Sequence, residues 1–224
     1  RSLLEDRCEA LVLLGPSAPT AALAELAQRL PVVVVARAVR HRALDVVRTA
    51  DDAGQRLAVE HLVGLGHRAI AHVDGGRAPG AAERRRGYRA TLRAHDLPEQ
   101  LVAGGPTEDD GAAAARALLA GPLPTAVTVF NDRCATGLLD VLLRAGVPVP
   151  ERVSVVGYDD SRLARLSHVD LTTVAQDTTR LTDLAVARAA ARLEGTPIED
   201  REQVVPPHLV IRSTTGPLAQ AAEE

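Results

Sequence analysis

The 224-residue chain is 46% hydrophobic and 25% charged, the proportions of a folded protein with one large domain or two lobes and not of a disordered segment. Its 26 basic residues, every one an arginine, face 29 acidic ones for a formal net charge of −3, which leaves no cationic surplus to neutralise the phosphates of a duplex. Cys8 and Cys134 lie far apart, with no C-x-x-C pair and no neighbouring His to complete a metal-ligand set, and read as reduced thiols; the longest aliphatic run, Val32 to Ala36, is far short of the roughly 20 residues that span a bilayer, so membrane insertion is excluded.

In chain order, helical and extended patterns alternate. Residues 3–7 read as the end of a helix, and the apolar run at 10–14, closed by Gly15-Pro16, reads as a buried strand. Leu23, Leu26 and Leu30 at helical spacing mark a helix over 20–30, stopped by Pro31, and the β-branched run at 32–36 is continuous, as a strand covered on both faces should be. A second series begins near Asp51-Asp52, which can cap a helix carrying Leu57, Ala58, Leu62 and Leu65, ended by Gly66. Strands are then expected at 69–73, 101–103, 126–130, 153–157 and 171–174, with helices at 81–95, 108–120, 132–145 and 178–194. Short extended pieces at 203–205 and 208–212 precede a frayed Ala/Glu tail from 218. Such alternation is the mark of parallel sheets with crossover helices, an α/β fold.

Motifs for chemistry are sparse. Gly64-Leu65-Gly66-His67-Arg68-Ala69 fits a dinucleotide-binding string, but a helix precedes it and a strand follows, the reverse of what places a pyrophosphate on a helix N-terminus. No serine elbow, zinc-helix or phosphate-loop motif occurs and the seven histidines do not cluster, so catalytic residues, metal and cofactor are all expected to be absent. Among paired carboxylates, Asp51-Asp52 and Asp109-Asp110 stand at helix starts as caps, whereas Asp159-Asp160 directly follows a buried strand. Arg84-Arg85-Arg86 with Arg89 and Arg93 makes a basic helix face, ordinarily solvated. Arg84 nevertheless stands in Arg-x-x-Gly-Tyr near a helix start after a Gly-rich loop, where α/β clefts hold ligands.

The string from Phe130-Asn131-Asp132 to Gly137, followed by Gly146-Val147-Pro148-Val149-Pro150 and Val153 to Asp160 with its Gly157-Tyr158-Asp159-Asp160, resembles the lactose/galactose repressor family of bacterial transcription regulators. Asp51-x-x-Gly54 with His61-Leu62 and Leu65-Gly66-His67-Arg68, then Leu171-Thr172-Thr173-Val174-x-Gln176, and finally Leu209 to Thr215 with its Arg212-Ser213-Thr214-Thr215, extend the resemblance over essentially the whole chain.

The resemblance implies a periplasmic-binding-protein-like fold of two doubly wound parallel-sheet lobes with crossing strands and an effector between them. The N-terminal lobe is expected at 1–48 and 176–204, incomplete at its N-terminus, and the C-terminal lobe at 49–175 and 205–216, with a tail at 217–224. Strands are expected to be missing beside both 10–14 and 32–36. The chain opens at Arg1 and has no methionine, so the family's helix-turn-helix is expected outside it and operator DNA is a partner only through that absent domain.

The family's effector contacts fall on Arg84, Asn131, Asp159 and Gln176. A carboxylate that accepts from two hydroxyls, an amide that donates and accepts, and a guanidinium fork suit a sugar or polyol. Two departures stand out: Ala36 occupies a position where sugar-responsive members carry Asp, and Pro106 one where an aromatic platform is common. The function implied is the effector-binding and dimerisation core of a cytoplasmic repressor, not an enzyme and without membrane partners, binding a small-molecule effector as a homodimer. The alternative is a secreted solute-binding protein of the same fold.

Overall fold

The structure, a computed structural model, describes residues 8–218; the helix end expected at 3–7 and nearly all of the tail lie outside the described residues. Those residues form two compact units, one comprising the described chain up to Ala50 with Asp177–Pro206, the other Asp51–Gln176 with the described chain from Pro207.

In the first unit, β1 (Leu11–Leu14), β2 (Val32–Val35), β3 (Asp45–Thr49) and β9 (Glu202–Val205) make a parallel sheet in the order β1-β2-β3-β9. The four valines of β2 are all buried because the sheet is covered on both faces. Val32 and Val34 join Leu23 of α1 (Thr20–Leu26), while Val33 and Val35 join Leu181 and Ala185 of α6 (Thr178–Leu193). An alternating strand between two helical layers therefore reads as an unbroken apolar run.

β3 went unread in the sequence because Asp45 and Arg48 interrupt its apolar pattern. Asp45 is buried against Arg192, which donates through Nε (2.7 Å) and Nη2 (2.9 Å), and Arg48 donates to Glu202 (2.6 Å) on the neighbouring strand. With β3 in place, β2 is flanked on both sides, so the expectation of a missing neighbour there is corrected; β1 forms an edge among the described residues.

The second unit holds β4 (Ile70–Val73), β5 (Gln100–Val102), β6 (Ala126–Val129), β7 (Ser154–Asp159), β8 (Thr173–Ala175) and β10 (His208–Val210), ordered β10-β8-β7-β6-β4-β5. Only the β10-β8 pair is antiparallel among the described strands. Helices α2 (Asp51–Gly64) and α3 (Ala81–Ala94) pack one face through Ala58, Leu62, Tyr88 and Leu92. Helices α4 (Glu108–Leu119) and α5 (Asp132–Arg144) pack the other through Ala115, Leu118, Leu138 and Leu142.

Two pairs of glycines set the helix spacing. An added Cβ at Gly111 of α4 would stand 1.8 Å from the Cys134 carbonyl oxygen of α5, and one at Gly137 of α5 would stand 1.9 Å from that of Glu108. On the opposite face, a Cβ on Gly54 would meet the Tyr158 hydroxyl at 2.3 Å and one on Gly87 the Asp52 carbonyl oxygen at 2.3 Å. The glycines of Asp51-x-x-Gly54 and Arg84-x-x-Gly87 thus serve one close α2–α3 packing against the sheet.

Candidate functional site

Parallel strands deliver their C-terminal ends to one edge, where an open α/β sheet presents its binding crevice. At that edge of the second unit, β6 leads into Phe130-Asn131, β7 ends in Asp159, and β8 leads into Gln176. Parallel pairing sets Asp159 beside Ala175, so the next residue, Gln176, falls next to the carboxylate, and its Nε2 donates to Asp159 Oδ1 at 2.7 Å. Asp159 has φ +111° and Asp160 φ +50°. Two successive non-glycine residues in the left-handed region cost on the order of 1–3 kcal/mol each, a strain characteristic of functional positions.

Arg84 reaches the same edge from the first turn of α3. Its basic neighbours suggested a solvated face, but Arg84 itself is only 5% exposed. Nε donates to Asp51 Oδ1 at 2.9 Å, Nη1 donates to the Phe130 carbonyl, and Nη2 lies 3.6 Å from Asp159 Oδ1. The guanidinium carbon stands 3.5 Å from the Tyr158 ring centroid and 4.7 Å from that of Phe130, so two of the chain's three aromatic rings embrace it. Burial works against the charge, but Asp51, Tyr158 and Asp159 outweigh it and raise the Arg84 pKa. Asp51, the first residue of α2, is thus the buried counter-ion of Arg84.

Asp159 is differently placed. Its side chain is 36% exposed, and loss of hydration, opposed by Arg84 and reinforced by Asp132, pushes its pKa up to about 6. Asp132 accepts from the Ser161 backbone N–H and the Thr173 hydroxyl, both at 2.6 Å, and burial raises its pKa as well. Asn131 caps α5, accepting from the Cys134 N–H at 2.8 Å while its Nδ2 donates to the Pro106 carbonyl at 3.1 Å. It sits at the same edge, next in sequence to the carbonyl that holds Arg84, and has one N–H and further acceptor capacity left for a ligand. The structure thus brings Arg84, Asp159 and Gln176 together directly, with Asn131 alongside through Phe130.

Asp160 takes no part in this opening. It accepts from Arg165 Nη2 at 2.6 Å and Arg212 Nη2 at 2.5 Å, while Thr214 donates to the Val155 carbonyl (2.7 Å) and accepts from the Thr172 N–H (2.9 Å). The closing Arg-Ser-Thr-Thr string latches the chain end onto β7 and the segment before β8. Sequence reasoning missed Asp51, Tyr158 and Phe130 as the cradle of Arg84; the scarcity of aromatic residues was the available signal. In the first unit, Ala36 follows β2 with φ +60°, and Arg37 donates to the carbonyls of Pro16 and Ala18.

Two sheets wound with helices on both faces, one presenting a carboxylate, an amide and a buried guanidinium at its strand ends, define a periplasmic-binding-protein-like domain. The family model described as periplasmic binding protein-like domain matches residues 59–215. A LacI transcriptional regulator from a Rhodococcus species superposes with a TM-score of 0.93 at 51% identity, over 97% of this chain and 82% of that one. A LacI family regulator from Enterococcus faecium, solved with bound ribose, superposes with a TM-score of 0.88 at 28% identity, over 96% and 82% of the two chains. The regulator GalR of Salmonella typhimurium is 34% identical over 223 residues, 96% of this chain. The chain belongs to the LacI family of transcriptional regulators. It spans 64% of the length of that GalR. Among the described residues no group of His, Cys, Asp and Glu could hold a metal ion, and no helix is long and apolar enough to cross a membrane.

Proposed function

We propose that this chain is the effector-binding and dimerisation core of a cytoplasmic DNA-binding repressor, and that a sugar or polyol bound through Arg84, Asn131, Asp159 and Gln176 alters operator affinity. The observation that carries the reading is Asp159, held in a strained backbone at the end of β7, partly open to solvent and oriented by Gln176. A carboxylate so placed accepts hydrogen bonds from ligand hydroxyls, at roughly 1.5–3 kcal/mol each for charged partners. The ribose bound by the Enterococcus faecium relative supports the ligand class, and the regulator relatives favour this reading over a secreted solute-binding protein. The role is non-catalytic.

In this reading operator DNA is contacted through a helix-turn-helix outside the chain. Only a ligand with different affinity for the DNA-competent and DNA-incompetent states could shift their populations.

Calorimetry with a panel of pentoses, hexoses, disaccharides and polyols tests the site. Asp159→Ala and Gln176→Ala are expected to cut affinity for whichever member binds by one to two decades, the equivalent of one charge-assisted hydrogen bond. Unchanged affinity in both variants, with normal melting, would refute the assignment.

A further inference from the structure

The cations and carboxylates at the strand-end edge of the second unit pair off unevenly. Arg84 is matched by Asp51 and filled by the Phe130 carbonyl, Arg85 donates to Asp74, and Arg165 and Arg212 share Asp160. Among the described carboxylates of this edge, Asp132 and Asp159 lack a cation of their own: Asp132 is buried and held by the Ser161 N–H and the Thr173 hydroxyl, whereas Asp159 is partly open and its nearest cation, Arg84, stands 3.6 Å away and is already paired with Asp51. An amide, Gln176, supplies its closest hydrogen bond. Arg77 and Arg162 lie on exposed turns of the same edge, where water and salt screen them.

For an incoming anion, Arg84 is a poor partner. Its charge is already matched by Asp51 at 2.9 Å, and Nη2, the end that makes no close hydrogen bond, lies 3.6 Å from Asp159, so an anion that reached it would meet the Asp159 carboxylate as well. A hydroxyl meets no such conflict, since it donates to Asp159 directly, and an ammonium group adds a favourable charge.

We infer that Asp159 makes this site a charge filter, admitting uncharged or amine-bearing polyhydroxyl ligands and rejecting their phosphorylated or carboxylated counterparts. The inference rests on the site assigned under Proposed function and narrows its ligand class. Like charges about 5 Å apart at an effective dielectric near 20 are separated by an energy equivalent to discrimination on the order of a hundredfold.

The test uses matched sets built on one sugar skeleton: the free sugar, its 2-amino derivative and its uronic acid, titrated calorimetrically at pH 7.5 into the protein and into Asp159→Asn. For the unaltered protein the amino sugar is expected to bind at least as tightly as the free sugar, and the uronic acid on the order of a hundredfold more weakly. Asp159→Asn keeps the shape and an acceptor oxygen while removing the charge, so the gap should close to within about threefold. Should the variant fold poorly, the unaltered protein at pH 5, where the uronic acid stays ionised and Asp159 takes up a proton, should show the same narrowing. Equal affinity of the unaltered protein for uronic acid and free sugar at pH 7.5 overturns the filter alone. Failure of every skeleton to bind in any form overturns the site itself, and the filter with it.

Discussion

Asp51→Ala separates a buried ion pair from its surroundings more cleanly than any other change in this protein. It removes the carboxylate that receives Arg84 Nε at 2.9 Å, where both side chains are less than a tenth exposed. The guanidinium then keeps the Phe130 carbonyl and the two ring faces, with Asp159 at 3.6 Å as its nearest remaining anion. Breaking a buried pair by deleting one partner costs about 3–5 kcal/mol, and the proximity of Asp159 puts the expectation near 3 kcal/mol. For a domain of this size that corresponds to a fall in Tm of about 6–12 °C, measured by circular dichroism.

The control is Asp51→Leu combined with Arg84→Met, which replaces the pair by apolar groups of similar bulk. Measured beside the single variants Asp51→Leu and Arg84→Met, the double variant should be more stable than the sum of their losses allows, giving a coupling of more than about 2 kcal/mol in the cycle. A Tm for Asp51→Ala within about 2 °C of the unaltered protein would refute the reasoning, because it would mean that the rings and the backbone carbonyl alone satisfy Arg84.

Gly137→Ala should lower the urea midpoint, because its Cβ would stand 1.9 Å from the Glu108 carbonyl oxygen and overpacking costs about 1–3 kcal/mol against at most about 1 kcal/mol of helix propensity gained; a raised midpoint contradicts the close α4–α5 contact. Effector affinity should rise with pH between 5 and 7, since the Asp159 pKa of about 6 leaves roughly a tenth of the carboxylate ionised at pH 5 and costs about tenfold in binding; calorimetry showing a flat profile contradicts it. For stability alone the same group acts the other way. Its folded pKa is raised above the unfolded value, so the native state holds the extra proton and this contribution to stability is lost as pH rises from about 4 through 6.

Local pattern made most of the fold legible, and what it missed depends on partners distant in sequence. The valine run of β2 announced a sheet covered on both faces without reference to its neighbours. β3, with its sequence Asp-Val-Val-Arg-Thr, looked like a break because nothing local reveals that Arg192, 147 positions away, neutralises Asp45 or that Glu202 receives Arg48. The same holds at the candidate site. Arg84 stood out by its motif, but the sequence could not show that Asp51 turns inward while Asp52 remains half-exposed, or that Tyr158 and Phe130 close over the guanidinium. The aromatic rings also explain how this chain departs from a stacking site. Tyr88, Tyr158 and Phe130 are all buried, Tyr88 against His72 and the other two against Arg84, so none has an exposed face for a sugar ring.

With no platform for stacking, the proposed site would have to recognise its ligand by hydrogen bonding, and the two adjacent carboxylates at the end of β7 are held in different ways. Asp160 is locked between Arg165 and Arg212, which ties the turn to the closing Arg-Ser-Thr-Thr string and gives the left-handed backbone something to hold it. Asp159, one residue earlier, has no such pair of arginines and instead faces Gln176 at 2.7 Å and, at 3.6 Å, the Asp51-paired Arg84. In the proposed site an underpaired carboxylate thus stands next to a fully paired one, with Arg165 and Arg212 fixing the turn that follows it.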